Sequence, residues 1–233
     1  MTFQLIKKIW RSQRKLAFYF GENMSNNYKF KRNWENAEKA IYDGEGEFDI
    51  PIIAPEDYHN VEWIGFNKAR ATQNRENKGI HFFLDDYQFV RLWKNVDRYI
   101  DLLKSYDFVM SPDFSTYTDF PKAMQIYNHY RKHWIAAYLQ EYGVHVIPTI
   151  SWSTLDSFEW CFDGEPQNST VAISSVGCSK TIDKFITGYD AMMERLHPST
   201  IIFYGNIPAE CKGNIVHISS FTEKWREAKM LGW

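Results

Sequence analysis

Eight short apolar runs, separated by amphipathic stretches and turn residues, set the plan of the chain. They fall at residues 50–53, 62–66, 80–84, 107–110, 144–150, 170–174, 200–204 and 215–218. Each is short, rich in Ile, Val, Phe or Tyr, and bounded by Gly, Pro, Asp or Ser, which predicts strands. Helical spacing is expected at 34–42, at 88–105 with a break near Asn95, between Pro121 and Gly143, at 182–196 and at 222–231. In the 182–196 stretch Ile182, Phe185, Ile186, Tyr189, Met193 and Leu196 share one face, and His197-Pro198 stops the helix. Residues 3–20 fit a basic amphipathic helix and 21–32 a linker.

The clearest unit runs from Asp107 to Trp152. Its first strand ends in Ser111-Pro112-Asp113-Phe114-Ser115, and its second in Ser151-Trp152. Between them Ala123, Tyr127, Tyr130, Trp134 and Ala137 fall at helical spacing, which predicts one buried stripe. Thr118 or Asp119 would cap this helix, and Gly143 suits the position just past its end. Strand, helix and strand in this order predict a right-handed parallel crossover. Ligands of such units sit at the carboxyl ends of the strands, here at Asp113 and Trp152.

Eight strands with interleaved helices suggest a β/α barrel, but Ile50 to Ile218 spans only 169 residues. That is short of the roughly 200–250 usual for the fold. The expected fold is therefore α/β with a mostly parallel sheet, as a compact or irregular (β/α) barrel-like core. The alternative is an open α/β sheet with antiparallel early strands. The expected organisation is a basic helix and linker at 1–32 and a single α/β domain at 33–233.

Composition sharpens this only in places. Aromatic residues make up 17% of the chain, with nine Trp. A well-packed core accounts for most of them, and a stacking surface for sugars or bases is the sharper reading. Three cysteines without metal-type spacing argue against a disulfide framework or a zinc site. No run is long enough to span a membrane, and the first twenty residues lack a signal-peptide pattern, so a cytoplasmic location is expected. Residues 1–33 carry eight Lys or Arg against Glu22 alone, a net of +7, which leaves −9 for the rest of a chain of net −2. A basic arm on an acidic body suits a nucleic-acid or nucleotide partner, or simply a solvated end.

Several residues could carry chemistry. Asp85, Asp86 and Asp113 follow two successive strands and could face one pocket as acid, base or nucleophile; the plainer reading is that they cap backbone amides. His81, His145 and His217 sit within strands, where a metal could join them, although hydrogen-bonded core histidines are commoner. The loop Ser174-Ser175-Val176-Gly177-Cys178-Ser179-Lys180 joins a strand to a helix. Ser175, Gly177 and Lys180 could hold a phosphate there, or form an ordinary turn. Trp152, with Phe158, Trp160 and Phe162, could stack a substrate or pack locally. No cofactor is named by any of these motifs.

Taken in order, several segments resemble one family. They are Ile80-His81-Phe82-Phe83-Leu84-Asp85-Asp86-Tyr87-Gln88-Phe89, Leu92-Trp93, the Ser111–Ser115 motif, Ile147-Pro148-Thr149-Ile150-Ser151-Trp152, residues 158–164 and residues 171–177. The family is found in bacteria and phages and is catalogued only as a domain of unknown function (number four-four-one-seven). The resemblance covers roughly residues 29–218 and implies a protein of phages, prophages or mobile elements, without an activity. A weaker likeness is to the barrel of tRNA-guanine transglycosylases and their phage DNA-modifying relatives, which implies a base-exchange enzyme. Against it, the zinc-binding cysteines are absent and Ser151-Trp152 stands where that family places Gln-Gly. The leading expectation is an enzyme acting on a nucleotide, nucleic acid or sugar-containing substrate. The competing one is a non-catalytic protein that engages a host or element-encoded partner.

Overall fold

The computed structural model of the chain describes residues 35–230. The expected basic helix and linker therefore lie outside the described residues. At 35–39 the backbone turns instead of forming the expected helix, because Glu35 and Asn36 adopt positive φ (51° and 61°). That left-handed conformation breaks a right-handed helix.

The body of the fold begins at Tyr42. Strands β1 (Gly44–Glu45) and β2 (Ile50–Pro51) form an antiparallel hairpin, with Gly44 opposite Pro51. The next four strands are parallel neighbours in chain order: β3 (Glu62–Gly65), β4 (Lys78–His81), β5 (Phe108–Met110) and β6 (Val146–Ile147). Val109 pairs with Val146 and Met110 with Ile147, so the predicted crossover is present. A second parallel sheet holds β7 (Thr170–Ser174), β8 (Thr200–Tyr204) and β9 (Ile215–Ile218). A parallel bridge between Thr149 and Ala172 joins the two sheets. Ile150 N donates to Ala172 O at 2.8 Å, and Ala172 N to Pro148 O at 2.8 Å.

The joined sheet is curled. In a flat sheet β4 and β8 would lie about 19 Å apart, four inter-strand steps of ~4.8 Å. Yet the rings of His81 and Phe83, at the end of β4, approach Tyr204 of β8 to 5.0 and 4.9 Å. The strands do not close into a barrel: β3 and β9 pair on one side only. The fold is thus α/β, mostly parallel and barrel-like without closure, with an antiparallel hairpin at its start.

The helices follow the predicted order. The 88–105 stretch becomes α1 (Val90–Lys94) and α2 (Ile100–Lys104), joined through a 3₁₀ turn. The break falls at Asn95, whose φ of −148° and ψ of 51° is not helical. Helix α3 (Lys122–Glu141) fills the crossover, and Gly143 leaves it at φ 77°. It starts after Pro121 with no side-chain cap, so neither Thr118 nor Asp119 plays the expected part. Helix α4 (Ile182–Leu196) ends at His197 in the left-handed conformation. Helix α5 (Phe221–Met230) opens with a reciprocal cap between Ser220 and Glu223.

The buried face of α3 departs from the expected stripe. Ala123 is exposed, and Tyr127 and Tyr130 are half-buried. The buried side instead begins with Gln125, Asn128, His129, Lys132 and His133, and becomes apolar only from Trp134 onward. Those five positions follow the helical repeat i, i+3, i+4, i+7, i+8 as faithfully as an apolar stripe would. The helix presents polar chemistry to the interior.

Candidate functional site

Asp113 stands at the carboxyl end of β5. Ser111 continues the sheet past the strand: its N–H donates to Ile147 O at 2.9 Å, and its Oγ accepts from Thr149 N at 2.8 Å. The chain then turns sharply, with Phe114 N donating to Pro112 O at 3.0 Å. This leaves Asp113 at the apex of a three-residue turn. Its carboxylate accepts no hydrogen bond from a described residue, although it keeps only partial contact with solvent. Burial pushes its pKa up from 3.8 to about 7; Lys132 opposes this, and the negative charge of Asp86 adds to it.

Asp86 reaches the same place from β4. Its carboxylate accepts from Ser115 Oγ at 2.8 Å and from Ser115 N at 3.3 Å, clamping the loop that carries Asp113. Asn128 of α3 donates to Ser115 O at 2.6 Å from the other side. Arg131 lies over the Phe114 ring at 3.8 Å and donates to Asn128 Oδ1. Asp85 is different: its side chain is exposed and makes no capping bond, and only its carbonyl closes the turn, to Gln88 N at 2.9 Å.

The loop after β7 comes near Asp113 through Cys178. Cys178 has its thiol pKa raised by burial and further by the charge of Asp113, which places the two groups near one another. Ser175 Oγ donates to Asn206 O at 2.6 Å, and Gly177 turns the loop at φ 88° with open space where a Cβ would stand. Lys180 is exposed. Trp152 leans on helix α4 instead of lining an open wall. Its ring lies 5.2 Å from that of Phe185, and a Cβ added to Gly188 would overlap its indole. Trp160 and Phe162 are buried in the core, so that aromatic run packs locally.

The three strand histidines do not converge. His81 is buried beside Tyr204 and Phe83; His145 is exposed and pairs with Glu56 at 3.0 Å; His217 donates to Gly205 O at 3.1 Å. Burial, with help from Lys224 and Lys68, lowers the His81 pKa to about 4.

Beneath Asp113 lies a polar cluster that the sequence did not announce. Lys132 donates to Thr149 O at 2.6 Å and to Glu165 Oε1 at 2.8 Å. His133 donates through Nδ1 to Pro51 O at 2.8 Å and places Nε2 2.9 Å from the same Glu165 oxygen. His129 donates through Nε2 to Asp163 O at 3.2 Å. All four side chains are buried. Burial tends to raise the Glu165 pKa, but Lys132 and His133 together outweigh it and hold the carboxylate ionised. Ligand-type atoms of His129, His133 and Glu165 lie within 4.8 Å of one another.

Residues 42–222 match the family described as "Domain of unknown function (DUF4417)". The chain belongs to this family. Among relatives, it is 38% identical over 174 residues to the Gene 1 protein of Mycobacterium phage L5, covering 72% of this chain and 76% of that protein. It is 32% identical over 192 residues to the Gene 1 protein of Mycobacterium phage D29, covering 80% of this chain and 71% of that one. No solved structure matches at a significant level. Among the described residues, no helix of this DUF4417 protein is long and apolar enough to cross a membrane.

Proposed function

We propose that this DUF4417 protein is a phage-type enzyme acting on a nucleotide, nucleic acid or sugar-containing substrate, with Asp113 as its general acid or base. One observation carries the reading: a carboxylate at the end of a central parallel strand, without a hydrogen-bond donor and with its pKa pushed to about 7. A group that titrates near neutrality can both take and give a proton at working pH. Asp86 orders the loop on which Asp113 sits and adds negative charge. The Ser175–Gly177 turn and Lys180 supply the substrate-binding rim across from it. Asp85, exposed at the edge, contributes charge to the approach. Trp152 supports α4 and shapes the wall from behind.

The test is turnover and binding measured across panels of nucleosides, nucleotides, short DNA and RNA strands and sugar phosphates. One class should be bound or converted, with a pH profile that bends near 7. Asp113→Asn should slow conversion by about 10²–10⁴-fold, the usual contribution of a positioned acid or base. Conversion that is equally fast in the variant would reject the assignment. A folded wild-type protein that engages none of these classes would favour the non-catalytic partner-binding reading.

A further inference from the structure

The cluster under α3 has a gap in its hydrogen bonding that a cation would fill. His133 Nδ1 lies 2.8 Å from the Pro51 carbonyl, which can only accept, so this nitrogen carries a proton. In the neutral ring Nε2 then bears a lone pair, and it points at a carboxylate oxygen 2.9 Å away. Two lone pairs facing each other at that distance repel, and Lys132, which already donates to this oxygen, puts no donor between it and Nε2. His129 repeats the pattern one helical turn earlier: its Nε2 donates to the Asp163 carbonyl, leaving Nδ1 as the lone-pair nitrogen. Glu165 closes the set. Its Oε1 is held by Lys132, while its Oε2 is buried without a hydrogen-bond partner. A buried acceptor left unpaired costs ~1–3 kcal/mol, so such an oxygen calls for an occupant.

We propose that His129, His133 and Glu165 form a binding site for one first-row transition dication of the zinc type. Two histidines at i, i+4 present their rings on one helix face, and a carboxylate from the turn after Asp163 completes three protein ligands, leaving a position for water. Each histidine gives its other ring N–H to a backbone carbonyl, the orientation that ligating histidines require. The spacing of 2.9 Å between Nε2 and Oε1 is about half an ångström short of the ~3.4 Å between tetrahedral corners with bonds of about 2.0–2.2 Å, so the two side chains part slightly to admit the ion. Lys132 holds the same Oε1 while donating to Thr149 O, and keeps the carboxylate oriented. The ion would tie α3 to the hairpin strand β2 and to the turn before Pro166. The competing occupant is a proton on His133 alone, with a water at Oε2.

The full-length chain, stripped with a chelator and shown to be folded by circular dichroism, is titrated with Zn²⁺ and separately with Co²⁺. One equivalent should bind, with an absorption spectrum for Co²⁺ that reports nitrogen and oxygen ligands and two hyperfine-shifted imidazole N–H signals. His129→Leu removes one ligand yet leaves the Lys132–Glu165–His133 contacts in place, and should weaken binding at least 100-fold. Should that variant fail to fold, the two imidazole signals in the wild-type protein decide the question alone. A folded wild-type chain that takes up neither ion overturns the proposal. So does uptake that His129→Leu leaves unchanged, or a Co²⁺ form without two imidazole signals.

Discussion

Replacing Asp113 by Asn should make the protein more stable above about pH 4, and most of all at neutral and alkaline pH. The carboxyl group has its pKa raised from 3.8 to about 7 in the folded state, chiefly by burial. Between those values the folded chain holds a proton that the unfolded chain releases, so stability falls as pH rises through this window. The loss is complete above about pH 7 and absent below about pH 4. At ~1.4 kcal/mol per pH unit, the displacement sets an upper bound of roughly 4 kcal/mol. Because the side chain keeps some solvent contact, the effective cost is nearer ~2 kcal/mol. Asn keeps the shape and cannot ionise, so it removes the cost. Urea unfolding of both proteins at pH 4 and pH 8 measures the effect, which amounts to a midpoint shift of about 1 M at pH 8. Any constant offset from the amide appears equally at both values and cancels. A difference that does not change with pH, or a variant less stable at pH 8 than at pH 4 relative to wild type, would refute the reasoning. The prediction also separates function from support: a carboxylate that costs stability is retained for something other than folding.

Three further outcomes follow from other sites. His81 has its pKa lowered to about 4 by burial and by Lys224 and Lys68, so its stabilisation is whole above pH 6.5 and is lost as pH falls toward 4. His81→Phe, which keeps a ring against Tyr204, should flatten that acid loss by up to ~3 kcal/mol in urea unfolding at pH 4 and 7. Glu165→Ala strips the buried partner from Lys132 and His133 and should cost about 3–5 kcal/mol by equilibrium denaturation; a cost below ~1 kcal/mol would show the cluster to be hydrated. Gly188→Ala drives a Cβ into the Trp152 indole and should destabilise by ~1–3 kcal/mol with a red-shifted Trp fluorescence, whereas unchanged melting would mean the indole moves freely.

The strand order and the placing of Asp86 and Asp113 after strands were legible in the chain because they rest on local signals. A short β-branched run between turn residues reads as a strand wherever it is placed, and a carboxylate after such a run reads as a strand-end group. Asn95 and Gly143 were equally plain, since each marks a local change of backbone direction. The curl of the sheet was not: it depends on how seven strands twist together, and it brings His81 and Phe83 to Tyr204 across more than a hundred residues of chain. The buried face of α3 was hidden for a different reason. Gln125, Asn128, His129, Lys132 and His133 have helical period, but polar residues in that pattern read as a solvated face. Only tertiary structure supplies the partners, Glu165, Thr149 O, Pro51 O and Asp163 O, that make burying them affordable. The i, i+4 spacing of His129 and His133 is a signal in the sequence that could have pointed there. Asp113 combines both cases: its position at a strand end is local, but its raised pKa comes from the burial that packing imposes and from Asp86, against the opposing charge of Lys132.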